Sequence, residues 1–311
     1  MPNARSPRRY HAALLVAVAA VSSSAVIVRW ADMGAVSLAF WRTAGGSVVL
    51  AVTAAMIGRR TALVGARRRH LAPIAIAGLC LAFHMSAWMA SLELTSVAAS
   101  VTLVSTAPLL IALYRAATGR PPSRRTWGVI ALGVAGTAVI TGGDLGGAGR
   151  DALLGDALAL VGAATVAGYL VIGDQVRSEL STSVYAGLVY ATSAVVLLPL
   201  AVAIDGGLGG YDTETWLAIG AMIVGPQLAG HTLINLLLKP LGSVTVSVAL
   251  LTESVGATVA VWAIFGDIPP LTAVFGGVMV LAALAVHLLG PGDDADGAPH
   301  DPAADSERLE A

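Results

Sequence analysis

Long apolar runs, each about the length of a membrane-spanning helix, follow one another along most of the chain. An α-helix needs about 20 largely apolar residues to cross the hydrocarbon core of a bilayer. The pattern therefore predicts an all-α integral membrane protein with about ten transmembrane helices and short loops. The predicted spans are 11–28, 35–57, 71–91, 94–114, 127–142, 153–173, 184–204, 215–237, 243–264 and 271–289.

The composition agrees with a lipid environment. Hydrophobic residues make up 56% of the chain and charged residues 12%, whereas charged residues make up about 25% of a soluble protein. So few charges cannot coat a soluble globule of this length. The single Cys80 excludes an intrachain disulfide and a multi-thiolate metal site. We find no metal, phosphate-binding or nucleophile motif, and we expect no cofactor and no nucleic-acid partner.

The distribution of Lys and Arg predicts the orientation of the spans. With a cytoplasmic N-terminus, fifteen of the 18 basic residues fall in cytoplasmic segments, as the positive-inside rule requires. Ten spans then place both termini in the cytoplasm, and we expect a multi-pass protein of the plasma (inner) membrane. A cleaved signal peptide ending near Ser22–Ala25 is an alternative reading of the first apolar run.

Two segments repeat each other at an offset of 146 residues: SLELTSVAASVTLVSTAPLLIAL (91–113) and LLKPLGSVTVSVALLTESVGATV (237–259). The offset equals five spans, so the second copy lies upside down relative to the first. Inverted repeats of this kind occur in secondary transporters, whose substrate site lies between the halves. We divide the chain into a basic N-terminus (1–10), two five-helix repeats (11–143 and 153–290), a Gly-rich outer connector (144–152) and a disordered acidic tail (291–311).

Several motifs resemble the EamA family of the drug/metabolite transporter superfamily over residues 10–290. They are SSSAVIVRWAD, AFWRTAGG and SLELTSVAASVTLVSTAPLL in the first half, and GDALALVGAATVAGYL, GHTLINLLL and SVALLTESVGA in the second. The resemblance implies ten helices in two inverted halves around a central cavity, cytoplasmic termini, and transport of small organic solutes, frequently export. Two positions depart from the family pattern. Glu253-Ser254 replaces the usual Glu-Pro, so we expect a straighter ninth span, and Arg120 replaces an acidic residue.

Two charged residues lie deep inside predicted spans. Glu253 lies near the middle of the ninth span and Arg42 lies within the second. Intramembrane charges normally face protein or a wet cavity. Glu253 is a candidate coupling or substrate-contacting acid, or a protonated carboxyl that hydrogen-bonds a neighbouring helix. Arg42 is a candidate anion ligand, a partner of Glu253, or a side chain that snorkels to the outer interface.

The eighth span carries polar residues at intervals of four. Gln227, His231 and Asn235 follow Pro226 and predict a polar stripe on one helical face. Such a stripe faces either the protein interior, as interhelical hydrogen bonds, or a cavity. At the 146-residue offset His84 aligns with Gly230, the neighbour of His231, and Trp88 aligns with Ile234. We add Tyr169 as a weaker candidate for the cavity wall, with the alternative that it anchors the interface.

These features lead to one principal hypothesis and two alternatives. The principal hypothesis is a secondary transporter that moves a small metabolite or drug-like solute by alternating access, with the proton as the candidate coupling ion. The alternatives are an intramembrane enzyme, and a membrane sensor or scaffold that acts through its C-terminal tail. The expected partners are a small-molecule substrate and the lipid bilayer, and a homodimer is left open.

Overall fold

The structure is a computed structural model, and it describes residues 7–56, 68–95, 97–140, 149–177, 179–266 and 268–290. In these ranges the regular secondary structure is helical throughout. The elements are α1 Pro7–Ser22, α2 Ser24–Ile27, a 3₁₀ turn Val28–Trp30, α3 Ala35–Met56, α4 Arg68–Leu94, α5 Val97–Val104, α6 Ala107–Ala117, α7 Arg124–Ile140, α8 Arg150–Arg177, α9 Thr182–Ile204, α10 Thr213–Met222, a π-helix Ile223–Thr232, α11 Leu233–Leu250, α12 Glu253–Phe265 and α13 Leu271–Leu289.

The helices have the length and composition of membrane spans. Within the described residues, seven helical stretches are long and apolar enough to cross a bilayer, and Arg9–Ser22 and Glu253–Phe265 are shorter apolar helices. One of the seven, Thr213–Leu250, has 38 residues, almost twice what one crossing needs. Gly242 divides it, with φ 75° and ψ 164°, a backbone conformation that glycine adopts without steric cost. The predicted all-α integral membrane class is confirmed.

Four predicted spans are less regular than their hydropathy suggests. The first is interrupted at Ser23, the fourth at Ser105–Thr106, and the ninth at Leu251–Thr252. The eighth passes through ten residues of π-helix, Ile223–Thr232. Hydropathy is insensitive to these interruptions because the residues around them are as apolar as those of a continuous helix.

The long helices pack in pairs: α4 along α8, α3 along α9, and α7 along α13. The last pair approaches closely through glycine, since a Cβ on Gly276 would lie 2.4 Å from the carbonyl oxygen of Gly136. Small residues allow this close approach between membrane helices. Each of the three pairs joins a helix of the first half of the chain to one of the second half.

Polar contacts mark the two ends of the bundle. One end of the bundle, where α3 and α8 end and α4 and α9 begin, carries Arg69 and Arg177, and we call it the arginine-rich face. There Glu179 contacts Arg69 Nη2 at 2.5 Å and His70 Nε2 at 2.8 Å. The His70 contact, aided by the charge of Arg69, holds the pKa of Glu179 below its usual range. At the opposite face, Asp212 caps α10 by accepting from the Thr215 backbone N–H at 2.8 Å. That hydrogen bond lowers the pKa of Asp212.

Candidate functional site

Two interrupted helices, α5–α6 and α11–α12, meet a central cavity, and their breaks are equivalent under the 146-residue offset. Thr106 has φ −77° and ψ −5°, and Thr252 has φ −74° and ψ −5°. Each Thr hydroxyl donates to the carbonyl three residues earlier at 2.6 Å. Ser and Thr hydroxyls that bond back to their own helix bend it, and here they accompany the same break in both halves.

The expectation of a straighter ninth span is not met, because the break occurs without a proline. Ser254 replaces the proline of the family pattern, and its hydroxyl donates to the Leu251 carbonyl oxygen at 2.9 Å. Pro108, the equivalent residue of the first half, lies in the first turn of α6. The same break in the helix therefore occurs beside Ser254 in one half and beside Pro108 in the other.

The cavity has a volume of about 120 Å³. Its lining residues lie in the second half of α4, the first half of α3 and near the end of the first span, so it lies nearer the opposite face than the arginine-rich face. The polar lining residues are Ser24, Arg42, His84, Ser105, His231, Ser247, Glu253 and Ser254. The apolar wall consists of Val21, Met85, Trp88, Val101, Val104, Ala107, Pro108, Val166, Leu170, Leu250, Leu251 and Ala257.

Arg42 is buried, with 1% of its surface exposed. Its Nε donates to Oε1 of Gln227 at 3.0 Å. This burial argues against the snorkelling alternative, since a snorkelling side chain reaches the interface. Gln227 is itself fully buried and does not line the cavity, so it orients Arg42 from behind.

Glu253, the first residue of α12, shares the cavity wall with Arg42. The two side chains therefore face the same space. Within the described residues, however, the opposite charges in contact within 4.0 Å are those of Glu179 with Arg69 and His70. A direct ion pair of Arg42 with Glu253 is therefore not formed. The Glu253 backbone carbonyl accepts from the Ser22 hydroxyl at 3.2 Å, which ties α1 to the start of α12.

Both predicted cavity histidines line the same cavity. His84 Nδ1 contacts the Gly162 carbonyl oxygen at 2.9 Å, and its ring stacks on Trp88 with centroids 6.3 Å apart. His231 lies beside Tyr169, with ring centroids 6.3 Å apart. Its buried Nδ1 has no hydrogen-bond partner among the described residues. Buried polar atoms are normally partnered, which makes His231 a candidate ligand-contacting residue.

Below the cavity, toward the arginine-rich face, lies a set of buried polar side chains that we call the inner layer: Tyr169, Arg177, Tyr190 and Asn235. Tyr169 donates to Oδ1 of Asn235 at 2.8 Å, and Asn235 Nδ2 lies 3.4 Å from the Tyr190 hydroxyl. Arg177 donates to the Asn235 and Leu180 carbonyl oxygens and to the Thr182 hydroxyl. Tyr169 and Asn235 therefore lie behind the cavity rather than on its wall.

The predicted polar stripe is divided, and its first part lies in the π-helix. Pro226 lies within the π-helix and cannot donate a backbone hydrogen bond. The π-helix changes the rotation per residue from the α-helical value that the prediction assumed. His231 reaches the cavity, whereas Gln227 and Asn235 point into packed protein. A Cβ on Gly230 would lie 2.6 Å from Val21 Cγ1, so glycine lets α1 pack tightly here.

Trp41 and Glu93 lie away from the cavity. Trp41 Nε1 donates to the Leu208 carbonyl oxygen at 3.2 Å, near the opposite face. Glu93 is exposed near the end of α4. The 144–152 connector lies partly outside the described residues, and the 291–311 tail lies wholly outside them. No group of three or more metal-ligating His, Cys, Asp or Glu side chains is found in the described ranges.

Sequence reasoning missed the structural role of Arg177 and counted it only as a cytoplasmic charge. In the structure Arg177 is buried, with only 4% of its surface exposed. It also missed the cavity residues Ser105, Pro108 and Ser247. The repeat pairs two of them with residues that also line the cavity: at the 146-residue offset Pro108 aligns with Ser254, and Ser105 aligns with Leu251. The signal for Arg177 was its position at the end of a span rather than in a long loop.

Comparison with known proteins assigns the fold and the family. The EamA-like transporter family matches residues 9–142 and again residues 153–289. The chain belongs to this family, which is part of the drug/metabolite transporter superfamily. A crystal structure of another protein superposes with a TM-score of 0.76 at 18% sequence identity, covering 90% of this chain and 97% of the other. That likeness shows the fold. A comparison with curated proteins gives no match.

Proposed function

We propose that this protein is a secondary transporter that moves a small organic metabolite or drug-like solute by alternating access, in the export direction. The observation that carries the proposal is the cavity between two helices interrupted at equivalent positions, walled by Arg42, Glu253, His84 and His231. Discontinuous helices at a repeat interface form the substrate sites of secondary transporters. The family match supports the same class of protein.

The proposed architecture is ten spans in two inverted five-helix repeats, with both termini in the cytoplasm of a plasma-membrane protein. The two family matches, 9–142 and 153–289, support the duplication. An offset of five spans inverts the second copy. The arginine-rich face is then cytoplasmic under the positive-inside rule. The inner layer closes that side, and the cavity lies toward the external side.

The cavity wall favours a solute with an apolar body and a small number of polar groups. Trp88, Met85 and several aliphatic side chains supply the apolar surface, while Arg42 and Glu253 supply opposite charges. In small-molecule sites a few placed polar groups fix the orientation of a ligand held mainly by apolar contact. Both an anionic and a cationic group on the solute would find a partner here.

We also propose that Glu253 carries the coupling proton. It is a carboxyl on the wall of the cavity inside the membrane, and intramembrane carboxyls form proton relays in transporters. Arg42 lines the same wall with the opposite charge. Loading and release of a proton at Glu253 therefore changes the electrostatic balance that the solute meets.

The test begins with a thermal-shift screen of the detergent-solubilised protein against a metabolite library. A ligand at 100 times its dissociation constant stabilises the folded state by about 2.7 kcal/mol. A ligand found in this way is then used in proteoliposomes with an imposed pH gradient. We expect Glu253→Gln to abolish gradient-driven flux, because the amide keeps the shape of the side chain and cannot exchange a proton.

The matched control is Glu93→Gln, which changes an exposed carboxyl that does not line the cavity. We expect its flux and melting temperature to equal those of the wild type. Undiminished gradient-driven flux in Glu253→Gln would remove the coupling role. Absence of flux in the wild type for every ligand that the screen finds would remove the transport proposal itself.

A further inference from the structure

A second, larger crevice lies at the arginine-rich face, and it shares no lining residue with the central cavity. Its volume is about 700 Å³. It lies between α3, the chain that joins α8 to α9, and the strip formed by the π-helix and α11. Thr232 lines this crevice, while the neighbouring His231 lines the cavity, so the π-helix separates the two spaces.

The crevice is polar at one end and apolar at the other. The polar end consists of Arg177 at the end of α8, Ser181, Thr182 and Ser183 at the start of α9, and Lys239, which lies three residues before the break at Gly242. All of them lie near the arginine-rich face. Leu228 lies eleven residues before Lys239, or about 15 Å deeper along the helix. That depth corresponds to about half the hydrocarbon thickness of a bilayer. Leu50, Leu233 and Leu236 line the interval, and Leu236 is 46% exposed.

The charge at the polar end favours an anion. All three acceptors of Arg177 are neutral: two carbonyl oxygens and the Thr182 hydroxyl. The crevice carboxylate, Glu179, is already paired with Arg69 at 2.5 Å and contacts His70. The positive charge of Arg177 is therefore not neutralised by that carboxylate, and the exposed Lys239 adds a second positive charge at the mouth.

We infer that this crevice binds an anionic phospholipid, with its phosphate beside Arg177 and Lys239 and an acyl chain along Leu236, Leu233 and Leu228. Basic pockets between membrane helices on the cytoplasmic side bind acidic lipid headgroups. The acyl chain accounts for the apolar depth of the crevice, which a free phosphate would leave unfilled. The bound lipid lies against the π-helix, on the side away from His231.

The test uses the purified full-length protein, titrated with phosphatidylglycerol or with phosphatidylcholine of the same acyl chains, and bound lipid is counted by native mass spectrometry. We expect the wild type to prefer phosphatidylglycerol. Lys239→Glu should lower the phosphatidylglycerol affinity at least about fivefold, since one basic residue near an anionic headgroup contributes about that factor. Its affinity for phosphatidylcholine should change little. Lys239 is exposed, so the substitution leaves the packing of the fold intact.

The matched control is Arg124→Glu, an exposed basic residue at the start of α7 that does not line the crevice. It should bind phosphatidylglycerol like the wild type. Glycerol phosphate, which has the anion without the chains, should fail to displace the lipid. Equal binding of both phospholipids by the wild type, an equal loss in Arg124→Glu, or displacement by glycerol phosphate would each overturn the proposal.

Discussion

The cavity and the inner layer are built by the same helices, yet their polar groups are packed in opposite ways. α8 and the eighth span pass through both regions: Val166 and His231 line the cavity, and Tyr169 and Asn235 belong to the inner layer. In the inner layer every polar side chain has hydrogen-bond partners in the protein. In the cavity the His231 Nδ1 has no partner among the described residues.

This contrast indicates which polar residues are available to a solute. Polar groups that satisfy one another stabilise the packing between the cavity and the arginine-rich face, and groups that face open space can exchange partners. Substitutions in the inner layer should therefore act mainly on stability, and those on the cavity wall mainly on ligand binding.

The largest effect on this comparison is expected from Arg177→Met. The change removes the donors to two carbonyl oxygens and the Thr182 hydroxyl. Hydrogen bonds from a charged group contribute about 1.5–3 kcal/mol each, and buried acceptors without partners add a penalty. We expect the free energy of unfolding in detergent to fall by about 3 kcal/mol or more. An unchanged melting temperature would contradict a structural role for the inner layer.

Next in size is Arg42→Gln, on the cavity wall. The change removes the buried positive charge and the hydrogen bond to Gln227 at 3.0 Å. We expect the affinity for a ligand found in the screen to fall at least about tenfold. Isothermal titration measures the change, with the exposed Arg150→Gln as control. A loss of stability with unchanged ligand affinity would show that Arg42 has a structural role and does not bind the ligand.

A smaller effect is expected from Tyr169→Phe. It removes the hydroxyl that donates to Asn235 Oδ1 at 2.8 Å and leaves the ring beside His231 in place. Hydrogen bonds between membrane helices contribute about 1 kcal/mol or less. We expect a loss of that size in the free energy of unfolding and little change in ligand affinity. Tyr114→Phe, at a tyrosine with 44% of its surface exposed, should leave both quantities at the wild-type value.

The smallest effect is expected at the arginine-rich face, where Glu179 contacts His70 and Arg69. The pKa of Glu179 is lowered in the folded protein, so its ionised form favours folding above the ordinary glutamate pKa. This contribution is lost as the pH falls through the lowered value. Between about pH 5 and pH 3, the melting temperature should fall more steeply for the wild type than for Glu179→Gln. Parallel slopes for the two proteins would contradict this, and Glu214→Gln, at an exposed carboxyl of α10, is the control.

Much of the fold could be predicted because hydropathy determines where a helix can cross lipid. The predicted spans 35–57 and 271–289 differ by at most one residue from α3, Ala35–Met56, and α13, Leu271–Leu289. The interruptions at Ser105–Thr106 and Leu251–Thr252 escaped prediction, since they depend on hydroxyls that bond back to the helix. The two interruptions lie at aligned positions of the repeat, 146 residues apart, but a sequence alignment does not show that a helix is broken there.

The candidate site was only partly predictable, for a reason that His231 and Asn235 illustrate. Both are polar residues on one span, four positions apart, and the sequence assigned them one role. The structure places His231 on the cavity and Asn235 in a buried network with Tyr169. Arg177 was missed because it ends a span, where a basic residue is normally solvated at the interface.

The lipid environment and the helical class of this protein follow from its sequence alone, because both depend on the order of apolar residues along the chain. Only the tertiary structure decided which polar side chains face a cavity and which face one another. That choice depends on the rotation of each helix about its axis, which the π-helix alters. It also depends on how closely a neighbour such as α1 approaches Gly230, and local composition does not encode either quantity.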